Sequence, residues 1–295
     1  MKKEIFKGCA TALVTPMLPN GSINFNRLAD LVDEQINAGI DALVVTATTG
    51  ESATLGCDEH IEAIKVAVLA AKKRVPVIAS TGSNDTNHSI MMSKRALDVG
   101  ADALLSVTPY YNKTSQDGLF LHFEKIASSV DLPIIVYNVP SRTGLNIKPE
   151  TYLKLSKIPN IVATKEANGD ISSIIKTISL CGDDLAVYSG NDDQIVPIMA
   201  LGGKGVISVF SNVCPSQGHK LTRLCLDGDF KKATEYALKY LDLMNALFID
   251  VNPIPVKAAM NMLDKNCGDC RLPLAPLNEK NSAILKDELK KLNLL

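Results

Sequence analysis

The sequence predicts an α/β fold, a (β/α)8 barrel with a helical C-terminal extension, and three observations support this. Short apolar segments alternate with helical patterns at roughly 25- to 30-residue intervals, as repeated βα units do. There are eight such units, and eight parallel strands close a sheet around an interior filled by side chains. The 295 residues also suit a barrel of this kind.

The predicted strands are short, largely apolar runs bounded by turn-forming residues. They cover residues 9–14, 42–46, 76–81, 103–107, 133–137, 161–165, 185–188 and 205–209. Near-continuous apolar runs are typical of parallel strands that are buried on both faces. We therefore expect all eight strands to form one parallel sheet.

A helical pattern follows each strand. The predicted helices cover residues 26–38, 58–71, 87–99, 115–129, 171–180, 192–201 and 215–226, and another begins near Pro149. A doubly wound open sheet is the alternative fold. It requires a Gly-rich phosphate turn after the first strand, and residues 15–21 contain no such motif.

Beyond the eighth unit the pattern is helical only, so we predict a barrel over residues 1–227 and a helical region over 228–295. An apolar stripe indicates its first helix: Phe230, Ala233, Ala237, Leu241, Met244 and Phe248. Further helices are expected at 255–263 and 282–292. This region is expected to pack on the barrel or on another subunit.

Composition argues against several classes of protein. The formal net charge is −1, and no basic stripe indicates binding to nucleic acid or to an anionic membrane. No apolar run approaches ~18 residues, and the N-terminus has no secretory h-region, so we expect a soluble cytoplasmic protein. The seven cysteines are expected to be mostly buried free thiols. Cys267 and Cys270 have CxxC spacing but lack further zinc ligands, so we predict a turn there and no metal site.

Lys165 is unusual because it ends the sixth strand, where a buried apolar residue is expected. Two interpretations are open. The lysine is either structural, being paired with an acid or extended to water, or it is a nucleophile. Burial favours the neutral form of an amine, which can attack a carbonyl and form a Schiff base.

The loops after the other strands supply groups that fit the second interpretation. Residues 46–52 carry hydroxyl and backbone donors suited to a small carboxylate, although such runs are also common in ordinary turns. Tyr110 and Tyr111 suit either a subunit interface or proton transfer. Arg142 suits either a surface ion pair or a carboxylate site, and Tyr137 ends the strand beside Lys165. Together they suit an α-keto acid bound as an imine, whose enamine attacks a second carbonyl.

At these residues the chain resembles the dihydrodipicolinate synthase family, within the pyruvate-dependent Schiff-base lyases related to N-acetylneuraminate lyase. The likeness covers essentially the whole chain and depends on several motifs in order. These are residues 47–52 (ATTGES), 108–112 (TPYYN), 137–144 (YNVPSRTG), 165–167 (KEA), 205–208 (GVIS) and 252–255 (NPIP).

The resemblance implies a role for each matching residue. Lys165 forms an imine with pyruvate, Tyr137 is the general acid and base, and Thr48 and Tyr111 complete a hydroxyl relay. Tyr111 would come from a neighbouring subunit of a homotetramer. Pyruvate is held by Thr49, the carboxylate of L-aspartate 4-semialdehyde is bound by Arg142, and the main chain of Gly190 and Ile207 lines the pocket. The implied product is the cyclic precursor of diaminopimelate and lysine, and no cofactor is implied.

The resemblance also implies a degenerate allosteric site for L-lysine. It would comprise Ser52, Ala53, Cys57, His60, Asn84, His88 and Tyr110. Cys57 and His88 depart from the family pattern, in which a histidine and a glutamate are usual. Loss of an anionic acceptor should weaken binding of an ammonium group by roughly 1.5–3 kcal/mol. We therefore predict weak or no inhibition by L-lysine, and sub-millimolar inhibition in a steady-state assay would contradict this.

Two alternatives to this function remain open. The chain could be another pyruvate-dependent aldolase, such as N-acetylneuraminate lyase or a 2-keto-3-deoxy sugar acid aldolase, but Arg142 suits a short second carboxylate better than a polyol. It could also be an inactive barrel that senses a ligand. The intact set of Lys165, Tyr137, Thr48 and Tyr111 argues against an inactive barrel.

Overall fold

The computed structural model describes Lys2 and residues 4–295, and its eight strands close into one parallel barrel. The strands are β1 (Gly8–Ala12), β2 (Ala42–Val45), β3 (Val77–Ser80), β4 (Ala103–Val107), β5 (Ile134–Asn138), β6 (Ile161–Glu166), β7 (Ala186–Ser189) and β8 (Gly205–Ser208). Consecutive strands pair, and β8 returns to pair with β1. The predicted fold class is therefore confirmed.

Helices follow the strands in the predicted alternation. They are α1 (Phe25–Asn37), α2 (Cys57–Ala71), α3 (Thr86–Asp98), α4 (Gln116–Ala127), α5 (Pro140–Thr143), α6 (Pro149–Leu155), α7 (Ile171–Cys181), α8 (Ile195–Ala200), α9 (Pro215–Leu226), α10 (Phe230–Ala246), α11 (Ile254–Met262) and α12 (Glu279–Lys291). The four-residue helix α5 was not predicted. The predicted helix 192–201 begins instead as a 3-10 turn over Asp192–Gln194.

The strands divide the core into two layers because successive side chains point to opposite faces of the sheet. The inner cluster fills the barrel with residues such as Ala10, Ile78 and Ile135, and it includes Tyr137. The larger outer cluster lies between the strands and the surrounding helices. Chemistry at the carboxyl ends of the strands therefore depends on inward-facing residues.

The C-terminal helices pack on the barrel and on each other. α10 lies against α8 and α9, and α12 lies against α10 and α11. The buried residues of α10 are Ala233, Tyr240, Leu243, Met244 and Ala246. The predicted stripe is wrong in part, since Leu241 is only half-buried and Phe248 lies beyond the helix and is exposed. Leu243, which lies outside the stripe, is fully buried, and α10 has contacts with three other helices, α8, α9 and α12.

Several features of the described residues bear on the remaining predictions. No helix among them is long and apolar enough to cross a membrane. All seven cysteines are free and five are buried, and residues 267–270 form a loop as predicted. Within residues 4–295 and Lys2, no cluster of three or more His, Cys, Asp or Glu side chains could hold a metal ion.

Candidate active site

A cleft of about 360 Å³ lies where the carboxyl ends of several strands meet. Thr48, Tyr137 and Arg142, three residues singled out from the sequence, line it together. They come from the loops or ends of two different strands, β2 and β5. This is the face at which (β/α)8 barrels carry their active sites.

Lys165 lies next to Tyr137, one of the residues that line this cleft. The two residues are paired across β5 and β6, and the Lys165 Nζ is 4.3 Å from the centre of the Tyr137 ring. The lysine is only 4% exposed. Among the described residues, no carboxylate lies within ion-pairing distance of its Nζ, so the acid-paired structural interpretation does not fit.

Lys257 shows by contrast what a structural buried lysine looks like in this chain. Its Nζ donates to the Glu51 carboxylate at 2.8 Å and to the carbonyl oxygens of Thr15 and Asp269 at 3.2 and 2.8 Å. The side chains of Lys257 and Glu51 are 2% and 0% exposed. All three donor positions of this ammonium are used, which leaves Lys165 as the unpaired buried amine among the described lysines.

The loop after β2 is held in a tight, strained conformation around Thr48 and Thr49. Thr46 and Glu51 both have positive φ angles, 54° and 60°, which are uncommon for residues other than glycine. Thr49 is buried, and its hydroxyl accepts a hydrogen bond from the Asn252 side chain at 3.1 Å. Such strain persists only where the surroundings enforce it, and it concentrates at functional sites.

Arg142 lies on the unpredicted helix α5, at the rim of the cleft. Its side chain is exposed, and one Nη donates to the main-chain oxygen of Asn252 at 3.1 Å. Pro140 begins α5 and Gly144 ends it with a φ of 68°, a left-handed conformation that glycine adopts readily. The remaining guanidinium donors are therefore available to an anion in the cleft.

Tyr111 is one of the predicted site residues that do not line the cleft in a single chain. Its side chain is 92% exposed, and its φ of 70° places it in a left-handed turn. Tyr110 is 38% exposed and lines the cleft. An aromatic ring so fully exposed suits a contact with another chain.

Gly190 and Ile207 belong to the two strand units that follow β6, the strand of Lys165. Gly190 follows β7, and its N–H donates to the main-chain oxygen of Glu166 at 2.8 Å. A Cβ there would lie 2.7 Å from the Ala167 Cβ, so only glycine fits without a shift. Ile207 is fully buried on β8 and belongs to the inner cluster. Neither residue lines the open cleft.

Asp192 is a buried carboxylate near Lys165 that sequence reasoning did not single out. Its Oδ2 accepts from the N–H groups of Val209 and Phe210 at 3.0 and 2.9 Å, whereas its Oδ1 has no protein partner. Burial raises the pKa of Asp192, and hydrogen bonds and the charge of Lys165 oppose that shift. The only signal in the sequence was its position just after the seventh strand.

Most of the residues of the expected lysine site share this cleft. Ser52, Ala53, Cys57, His60, His88 and Tyr110 line it, whereas Asn84 does not. Asn84 instead accepts a hydrogen bond from the Asn112 side chain through its main-chain oxygen, at 2.9 Å. The His60 ring bonds to the Ser80 oxygen at 2.8 Å, and burial lowers its pKa. A neutral His60 offers no anion to an ammonium ligand.

Glu166 was also missed as a candidate, although it follows Lys165 directly. It is buried on the outer face of β6, where Tyr152 and Asn138 donate to its carboxylate. Burial raises its pKa from the usual 4.5 to about 7, although these hydrogen bonds oppose the shift. An acid with a raised pKa is protonated more readily in the folded state than in the unfolded state.

This shift predicts how stability changes with pH. Between pH 4.5 and 7 the folded chain holds the Glu166 proton more tightly, so the free energy of unfolding falls as pH rises through that range. The loss is on the order of 3 kcal/mol. Glu166→Gln removes the titration, so the unfolding midpoint of the native chain should fall relative to this variant between pH 4.5 and 8. A difference between the two that stays constant with pH would contradict the prediction.

A closed parallel barrel with a polar cleft at the carboxyl ends of its strands defines the class of (β/α)8-barrel enzymes. The family can be stated as well. A model described as "Dihydrodipicolinate synthetase family" matches residues 5–292, and the chain belongs to this family.

Individual relatives agree with this membership. A protein of Acetivibrio thermocellus named 4-hydroxy-tetrahydrodipicolinate synthase is 52% identical over 295 residues, which are 100% of both chains. The crystal structure of dihydrodipicolinate synthase from Aquifex aeolicus has a TM-score of 0.96 and 44% identity, covering 98% of this chain and 99% of that one. That of the chloride-inhibited enzyme of Acinetobacter baumannii, complexed with pyruvate, has a TM-score of 0.97 and 41% identity, covering 99% and 100%. The predicted 4-hydroxy-tetrahydrodipicolinate synthase function, a lyase activity in lysine and diaminopimelate biosynthesis, is confirmed.

Proposed function

We propose that Lys165 performs this reaction as a covalent nucleophile, condensing pyruvate with L-aspartate 4-semialdehyde. The observation that carries the proposal is the contrast between two buried lysines. Lys257 has three hydrogen-bond acceptors, whereas Lys165 has none among the described residues and lies against the ring of Tyr137. A buried amine that no acid or carbonyl engages can attack the carbonyl of a substrate.

The first half of the reaction forms the imine. The Lys165 amine attacks the keto carbon of pyruvate, and the oxygen leaves as water after proton transfers. Tyr137 is near enough to relay these protons, since its ring lies 4.3 Å from the Nζ. The pyruvate carboxylate is held by Thr49 and neighbouring main-chain N–H groups in the strained loop after β2.

The second half forms the new carbon–carbon bond. The protonated imine withdraws electrons, the methyl carbon loses a proton, and the resulting enamine attacks the aldehyde carbon of the semialdehyde. The semialdehyde amine then attacks the imine carbon, which closes the ring and releases Lys165. Thr48 and Tyr111 complete the proton relay with Tyr137, and Gly190 and Ile207 shape the pocket around the imine.

Arg142 is proposed to bind the carboxylate of the semialdehyde, and this gives a prediction. Arg142→Lys keeps the charge but loses the fork geometry, so the KM for the semialdehyde should rise about 10- to 100-fold. The rate at which pyruvate forms the imine should be unchanged, because Arg142 is proposed to bind only the second substrate. Steady-state kinetics with each substrate varied in turn measure both. An equal rise in the KM for pyruvate, or no rise in the KM for the semialdehyde, would contradict this role.

The choice of second substrate is tested by a screen of aldehydes with pyruvate. L-aspartate 4-semialdehyde should give the highest kcat/KM, because Arg142 and the cleft suit a short carboxylate. A preference for a sugar-derived aldehyde would instead favour the sugar acid aldolase alternative. The 52% identity to a 4-hydroxy-tetrahydrodipicolinate synthase supports the first result.

We also propose that the chain works as a homotetramer in which Tyr111 enters the site of a neighbour. Its 92% exposure in a left-handed turn supports this, because such a ring is unpartnered in one chain. Residues 228–295 would then form a helical region that supports both the site and the assembly. The Glu51 carboxylate, in the loop after β2, accepts from the Lys257 side chain and from the Arg271 N–H, both at 2.8 Å, which supports a role for this region at the site. The cytoplasmic location and the weak response to L-lysine stay predictions.

A further inference from the structure

Two residues of the site and two residues of a buried polar network alternate along neighbouring strands. Tyr137 pairs with Lys165, and the next pair along is Asn138 with Glu166. Because successive residues of a strand point to opposite faces, the first pair faces the barrel interior and the second faces the helices. The two pairs are therefore carried by the same stretch of backbone, on its opposite faces.

The Glu166 carboxylate joins three parts of the fold. Its Oε1 accepts from the Asn138 side chain at 2.8 Å and from the Asn168 N–H at 3.1 Å. Its Oε2 accepts from the Tyr152 hydroxyl on α6 at 2.8 Å. The Tyr152 hydroxyl in turn accepts from Thr164 at 3.0 Å. The end of β6 is thus tied to β5, to its own following loop and to a helix.

Asn138 extends the network into the loop after β5. Its Oδ1 accepts from the Ile147 N–H at 3.2 Å, and its Nδ2 also donates to the Asn146 side chain at 2.7 Å. Its main-chain oxygen accepts from Ala167 at 2.9 Å. Asn138 and Glu166 are 0% and 2% exposed. The loop that bears Arg142 is therefore fixed to the same carboxylate.

Packing alone does not explain an acid at this position. A buried carboxylate is expensive to desolvate, and apolar residues of similar volume often serve stability as well or better. What a fully satisfied polar network adds is a single fixed arrangement of the elements it joins. Catalysis requires this, since a misplacement of about 1 Å can lower a rate about 10²-fold.

We propose that Glu166 is a positioning residue that, through Asn138 and Tyr152, sets the placement of the Lys165 amine against the Tyr137 hydroxyl. This rests on the proposed function of Lys165. Glu166 touches no reacting atom, because it lies on the opposite face of β6. Its effect is on the geometry of imine formation and not on substrate affinity.

The test measures imine formation with pyruvate, by reductive trapping over time, alongside steady-state kinetics and thermal unfolding. In Glu166→Ala the trapping rate and kcat should fall about 10- to 100-fold, with both KM values within about threefold of the native chain. Glu166→Gln keeps an acceptor for Asn138 and can donate to Tyr152, so it should recover to within about fivefold. Tyr152→Phe removes the hydrogen bond from the Tyr152 hydroxyl to Glu166, and its trapping rate and kcat should lie between those of Glu166→Ala and Glu166→Gln.

A matched control is Ser106→Ala. Ser106 is buried on the outer face of β4 with no partner for its hydroxyl, so this variant should keep native rates. If the native chain is not trapped at Lys165, the proposed function itself fails. If it is trapped there, native rates in folded Glu166→Ala and Tyr152→Phe overturn the positioning role. A Glu166→Gln variant as slow as Glu166→Ala also overturns it, because the charge and not the network would then matter.

Discussion

Replacing Lys165 with methionine is expected to lower kcat by about 10³-fold or more while leaving the fold intact. Methionine has a similar length but no amine, so the covalent route to the imine is removed. The stability should be unchanged or higher, because an unpaired buried lysine is exchanged for an apolar side chain of similar size. Steady-state assays of purified variant and thermal unfolding measure the two effects separately.

The companion variant is Lys165→Arg, which keeps a positive charge but supplies no neutral amine at working pH. It should be as inactive as Lys165→Met in imine formation. Substantial activity in either variant would contradict the nucleophilic role. So would a large loss of stability in Lys165→Met, because that result would mark Lys165 as a structural residue.

The same substitution at the other buried lysine should give the opposite result. Lys257→Met leaves the Glu51 carboxylate buried without its ion-pair partner, so the free energy of unfolding should fall by about 3–5 kcal/mol. Any loss of activity should be indirect, through the loop of Thr48 and Thr49 that precedes Glu51. Denaturant or thermal unfolding measures the loss of stability, and activity measured on the folded fraction measures the indirect effect on catalysis separately.

Two further variants sharpen this test. Lys73→Met removes an ion pair with Asp102 at 2.9 Å from a lysine side chain that is 68% exposed, and it should cost less than about 1 kcal/mol. Glu51→Gln in the Lys257→Met background removes the unpaired buried charge of Glu51 and should restore part of the lost stability. If Lys257→Met is no more destabilising than Lys73→Met, the buried pair is not structural.

The barrel could be predicted from the sequence because each strand is a local pattern. Eight apolar runs between turn residues are visible without any knowledge of contacts, and all eight are found. The predictions that failed concern features that tertiary contacts or short length decide. The apolar stripe of α10 missed Leu243, which packing against other helices buries. The helix α5 has only four residues, too few for a periodic pattern to indicate it.

The site residues likewise fall into those that a local pattern predicts and those that it does not. Lys165 could be singled out because a lysine at the end of a buried strand breaks a local rule. Lys257 could not, because a lysine on a helix is normally exposed and its partner Glu51 lies 206 residues away. Glu166 was overlooked for a related reason, since its hydrogen bonds to Asn138 and Tyr152 come from other elements. Periodicity indicates which face a residue occupies, but not which polar group meets it there.

The measurement that tests the central claim most directly is reduction with borohydride in the presence of pyruvate, followed by mass mapping of the peptides. We predict a single adduct, on the peptide containing Lys165, and none when pyruvate is omitted. Lys257 serves as an internal control, because it is equally buried but fully hydrogen-bonded. An unmodified Lys165, or an adduct on a different lysine, would contradict covalent catalysis at this position and leave only the barrel and its family membership in place.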